Sequence, residues 1–124
     1  MLRIIQYIQE DGMSGMTAGT VFYFNDMISI RPYQISSRTL NITEGSGQAA
    51  EAPEWVLYGM DKDETISSET SPRSKLIHVL EGELHMLIGE QPCPLTAGAA
   101  VIVQAGTWHE FAAQSSCKFL QISI

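Results

Sequence analysis

With 124 residues and 44% apolar side chains, the chain can bury one hydrophobic core but not two of useful size, so a single domain is expected. Fourteen acidic against seven basic residues give a net charge of −7, and no segment concentrates Lys or Arg, which disfavours nucleic acid and anionic membranes as partners. Two cysteines, Cys93 and Cys117, lack any C-x-x-C spacing; they read as reduced packing residues rather than a disulfide framework or a zinc cage.

The first residues, MLRIIQYIQEDG, are interrupted by Gln6, Gln9 and Glu10 before a secretory core or a membrane span can form, so a cytoplasmic protein is expected. Residues 1–20 form an N-terminal extension with two readings: Ile4, Ile5 and Ile8 suit an amphipathic helix, while the β-branched content suits an added edge strand. The small, glycine-rich run DGMSGMTAG reads as a flexible link. The domain proper then spans residues 21–124.

From there short apolar runs follow one another without a helical period. Strands are expected at 21–24, 27–30, 35–43 and 54–60, then, after a polar segment at 61–74, at 75–80, 83–88, 99–103, 109–113 and 118–124. Gly82 and Gly89 fall at turns. Eight to ten such strands predict an all-β domain, closed or built from two sheets. In 75–80, Ile77 and Val79 share one face while Leu76, His78 and Leu80 share the other. That second apolar face needs a cover, and a second copy of the chain is the expected one, giving a homodimer.

The phrases VLEGEL at 79–84 and QAGTWH at 104–109, with Gly98 before the latter, and the upstream runs DMISIRPYQISSRTL at 26–40 and ISSETSP at 66–72, resemble the small single-domain, RmlC-like members of the cupin superfamily. The resemblance covers residues 21–124. It implies a jelly-roll β-barrel (a double-stranded β-helix), often dimeric, whose interior pocket in many members holds a divalent metal. In those members the first motif supplies two histidines one residue apart and a glutamate, and the second motif a third histidine. Counting back from Gly82, Lys75 takes the glutamate place and Glu69 and Ser71 the two histidine places, so His109 alone is kept. Gln104 stands where proline is usual, and Ala113 where asparagine is often found.

The chemistry of these exchanges stands without the family. Alternation puts residues 69, 71 and 75 on one face only if the strand runs regularly past Pro72. A first-row divalent ion needs three or four donors at about 2.0 to 2.3 Å, and Glu69 with His109 supplies two. Ser71 is a poor ligand and an ammonium at Lys75 repels the cation. No metal or other cofactor is therefore favoured; if one binds, His109 and Glu69 hold it. Either the ammonium of Lys75 takes the cation's place, pairing with Glu69 and reaching toward His109, or Lys75 extends to the barrel mouth and Glu69 lies on a solvated loop.

In the similar proteins the strand start after this glycine turn faces the pocket, so the resemblance implies that His109 does too and, by alternation, that Trp108 points away. His78 and His85 fall out of phase and should face outward. Any of Tyr23, Tyr33 and Tyr58 could present a hydroxyl inward. The methionines are too scattered for a copper series and read as core filling. No nucleophile elbow and no phosphate-cradling glycine loop is present. The leading function is binding of a small molecule in a pocket lined by Glu69, Ser71, Lys75 and His109, with a degenerate metal site. The alternatives are a metal-dependent oxygenase or isomerase with a ligand set rebuilt on His109 and Glu69, a metal-free acid/base enzyme using Lys75 and His109, and a dimeric sensing or accessory protein.

Overall fold

Alternation of buried and part-exposed side chains governs most of the chain. In Lys75–Glu81, Lys75, Ile77 and Val79 are buried while the residues between them are half-buried; in His109–Ala113, His109, Phe111 and Ala113 are the buried set. The computed structural model describes residues 7–9, 16–40 and 53–124, and the side chains of 7–9, 68 and 69 lie outside that description. The helix-or-strand reading of residues 1–6, most of the glycine-rich link and the end of the 35–43 strand fall outside the described residues.

Ten strands are described: β1 Tyr7–Gln9, β2 Ile35–Leu40, β3 Glu54–Met60, β4 Thr65–Glu69, β5 Lys75–Glu81, β6 Glu83–Ile88, β7 Gln91–Thr96, β8 Ala100–Val103, β9 His109–Ala113 and β10 Cys117–Ser123. They form a six-stranded sheet, β1-β2-β3-β10-β5-β8, and a four-stranded sheet, β4-β9-β6-β7. β1 runs parallel to β2, and the other pairings among the described residues are antiparallel. The sheets face each other across one core in which Ile77, Val79 and Phe119 of the larger sheet meet Leu84, Met86 and Phe111 of the smaller. Gly82 joins β5 to β6 at φ +78°, and a Cβ there would stand 2.2 Å from the Ser116 carbonyl oxygen, so no other residue fits without moving backbone. No helix among the described residues is long and apolar enough to cross a membrane.

Two expectations are corrected. Residues 21–24 and 27–30 are not strands: Phe24–Asp26 is a single 3-10 turn, and the surrounding chain crosses the outer face of the larger sheet as a strap. Met27 and Ile28 bury themselves there against Leu40, Leu57 and Leu120. Alternate strap carbonyls are fastened by side chains of the sheet: Lys118 Nζ donates to Asn25 O at 2.7 Å, Arg38 Nη1 to Met27 O at 2.9 Å, and Ser36 Oγ to Ser29 O at 2.5 Å. Apolar, β-branched composition here serves burial against a sheet rather than pairing within one. Gly59 lies beneath the strap, where a Cβ would stand 2.7 Å from Ser29 O.

Over β2, β3 and β10 the outer apolar face is covered by residues 16–30 of the same chain. At the far edge of that sheet Ile102 of β8 remains 62% exposed. The second correction concerns strands missed. β4 lies inside the polar segment 61–74, and β7 forms despite Pro92 and Pro94 because it is an edge strand. Both prolines belong to one alternate set, exposed and outward, leaving Gln91, Cys93 and Leu95 to bond with β6.

Candidate functional site

One end of the interior gathers the polar residues. β5 and β9 begin there with Lys75 and His109, and β10 ends there with Ser123, which pairs with Lys75 in register. Loop 104–107 is tied to the preceding connection, Gly106 N donating to Ser71 O at 2.7 Å and Ala105 N to Ser74 Oγ at 3.1 Å. These bonds fix where β9 starts and so aim its first side chain inward.

His109 is fully buried. Its Nδ1 lies 2.9 Å from Thr107 O, and a carbonyl oxygen only accepts, so Nδ1 carries the hydrogen and donates. Nε2 is then left with its lone pair. Lys75 Nζ, on a side chain that is also buried, stands 3.2 Å from that atom and donates to it. A donor-only ammonium and an imidazole with a fixed tautomer make one oriented pair.

Below this pair the interior is aromatic. His109 meets Phe111 edge-on at 5.5 Å, Phe111 stacks on Phe119 at 5.4 Å, and Phe119 stacks on Tyr58 at 5.0 Å. Gln121 and Ser123 follow Phe119 on the inner face of β10, in register with Ile77 and Lys75, and are 7% and 6% exposed. Both are mostly buried polar side chains on an inner face that is otherwise apolar. These two residues were not among the candidates from sequence, although alternation from Phe119 places them inward.

Lys75 and His109 are thus brought together. Glu69 stands opposite His109 in register, and its side chain lies outside the described residues. Ser71 is not part of the pair: β4 ends at Glu69, the chain changes sheets around Pro72, and Ser71 Oγ accepts from Arg73 N at 3.2 Å. The condition for placing residues 69, 71 and 75 on one strand face therefore fails, and Glu69 and Lys75 belong to opposite sheets. Tyr23 and Tyr33 are 68% and 86% exposed, leaving Tyr58 as the inward tyrosine of the three. Trp108 is exposed, His78 is half-buried on the outer face opposite Leu120, and His85 Nε2 contacts Glu83 Oε2 at 2.5 Å on a half-exposed surface. Among the described residues no group of three or more His, Cys, Asp or Glu side chains converges as a metal cluster.

The opposite end is held by a half-exposed carboxylate. Asp61 accepts from Tyr33 N at 2.7 Å, from Ser116 Oγ at 2.8 Å and from Lys62 N at 2.9 Å, and these donors, Tyr33 first, hold its carboxyl below the usual 3.8. Burial, with a smaller contribution from Glu81, pushes the Cys117 thiol up to about 12, so it stays protonated and unreactive.

Residues 56–123 match the family described as Cupin domain. Among solved structures the chain is similar to a conserved protein of unknown function from Streptococcus pyogenes, with 19% identity, a TM-score of 0.77, and 98% of this chain and 96% of that one covered. It is similar also to a cupin superfamily protein from Desulfitobacterium hafniense, at 21% identity and a TM-score of 0.76 over 89% of this chain and 94% of that one. An RmlC-like cupin from Shewanella frigidimarina aligns at 18% identity and a TM-score of 0.64, covering 82% and 87% of the respective chains. No curated protein matches the chain. Two facing, largely antiparallel sheets, the turn glycines around β5 and β6, and a family match over more than half the sequence lead to one conclusion: the chain belongs to the cupin family and has its jelly-roll fold.

Proposed function

We propose that this cupin binds a small polar molecule at the Lys75 end of its interior, with the ammonium of Lys75 serving where related barrels use a divalent cation. The observation that carries the reading is the 3.2 Å approach of Lys75 Nζ to His109 Nε2, the imidazole atom left with a lone pair. A metal ion seeking that lone pair has to displace an ammonium, and two unit positive charges 4 Å apart repel by about 4 kcal/mol at an effective dielectric of 20. The residues present do not suit a divalent ion. They suit an oxygen-rich ligand, such as a carboxylate or carbonyl compound, that accepts from Lys75 and bonds to the Gln121 amide and Ser123 hydroxyl.

Two measurements on tag-free full-length protein test the reading. After incubation with zinc, manganese, nickel or iron and desalting, elemental analysis gives well under one ion per chain. In a thermal-shift panel of small carboxylates, those that raise the melting temperature of the wild type lose that effect in Lys75→Met. Stoichiometric metal, or equal stabilisation of both proteins, refutes it.

A further inference from the structure

Lys75 differs from the other two lysines of the chain in being buried, and it alone stands against a base: Lys62 is exposed and Lys118 is half-exposed, donating to Asn25 O. We propose that Lys75 is an amine nucleophile that captures a small carbonyl compound as an imine, with His109 Nε2 as the proton acceptor that frees it. The proposal rests on the ligand site proposed above and adds a covalent step and a ligand class to it.

The geometry supplies each part of that step. An ammonium has no lone pair and cannot attack; its proton must first leave. His109 Nε2 stands 3.2 Å from Nζ and can only accept, because Nδ1–H is held by Thr107 O at 2.9 Å. Proton transfer gives a neutral amine beside an imidazolium whose Nδ1–H bond to Thr107 is retained. The amine lone pair then attacks the carbonyl carbon, forming the C–N bond of a carbinolamine as the carbonyl oxygen takes a proton from nitrogen. The imidazolium returns its proton to that hydroxyl, the C–O bond breaks, and water leaves. Ammonium and aldehyde are consumed; a protonated imine and water are formed, and His109 is restored. No oxidant or reductant is required. The Gln121 amide and Ser123 hydroxyl, buried on the neighbouring strand, are placed to bond a polar substituent of the carbonyl compound.

Glyoxylate is the probe, since it is small, anionic and carries a reactive aldehyde. Full-length protein is incubated with glyoxylate and sodium cyanoborohydride, which reduces an imine to a stable secondary amine, and the labelled lysines are located by peptide mass spectrometry. Lys75 is expected to label about tenfold faster than Lys62 and Lys118 despite its burial. His109→Gln is expected to slow labelling at Lys75 by about 100-fold while leaving Lys62 and Lys118 unchanged. Lys75→Arg keeps the charge and is expected to lose the adduct, with circular dichroism confirming its fold. No adduct at Lys75, labelling there no faster than at Lys62, or an unchanged rate in His109→Gln overturns the proposal. A parallel titration with glycolate, which has no carbonyl to attack, separates the two readings: glycolate stabilisation that depends on Lys75, together with no adduct from glyoxylate, sinks the imine and leaves the binding site standing.

Discussion

The two ends of the interior are built on different principles. At the end around Met60, Cys117 and Gly82, side chains fill space and polar groups are satisfied; Asp61 alone takes three hydrogen bonds that hold Tyr33, Lys62 and Ser116 in place. At the other end two mostly buried polar side chains of β10 lie on the inner face, and a lysine faces an imidazole. Polar side chains are uncommon on a buried face, and filling a core does not call for them. The contrast supports the proposal of a ligand site at the Lys75 end, with the stacked Phe111 and Phe119 between it and the other end.

The largest effect should come from that boundary. Phe119→Ala removes a fully buried ring stacked on both Tyr58 and Phe111, and should cost about 3 to 5 kcal/mol in urea unfolding. A loss below about 1 kcal/mol would mean that the aromatic layer is not the structural core. Gln121→Leu should behave in the opposite sense. Replacing this mostly buried amide by an apolar side chain of similar size should leave stability unchanged or raise it by about 1 kcal/mol, while carboxylate binding falls. Marked destabilisation would assign the amide a structural role and erase the contrast.

The smallest effect is a dependence on pH at the Asp61 end. Because the Asp61 carboxyl is held below 3.8, its stabilising effect is fully present above that value and is lost as pH falls through the lowered one. Asp61→Asn should therefore flatten part of the stability loss below about pH 4, as read by thermal melting across the acid range. Its exposure keeps the effect small. An acid limb identical to that of the wild type would show that the three donors do not act on a charge.

The strands carrying the site were legible because their pattern is local. β5, β6 and β9 alternate cleanly and lie next to turn glycines, and the inward aim of His109 followed from its place after such a turn in the similar proteins. The strap was not legible. Residues 21–30 carry the apolar, β-branched composition of strands, and only the donors on Ser36, Arg38 and Lys118, distant in sequence, show that their carbonyls bond to side chains instead. β7 was hidden by two prolines that an edge strand tolerates. Within the site, the move of the chain from one sheet to the other at Pro72 broke the alternation that would have aligned Ser71 with Lys75. Gln121 and Ser123 could have been found by continuing that alternation from Phe119 along the last strand, where polar residues on an apolar face are themselves a signal.

The central claim is that Lys75 occupies the atom of His109 that a metal would need. Nitrogen-15 NMR of the imidazole at neutral pH, with His109 assigned by the His109→Gln variant, tests it directly. The account predicts the Nδ1–H tautomer with Nε2 as acceptor, its shifts unchanged by equimolar zinc. A hydrogen on Nε2 in place of Nδ1, or a zinc-dependent displacement of the Nε2 resonance, would contradict it.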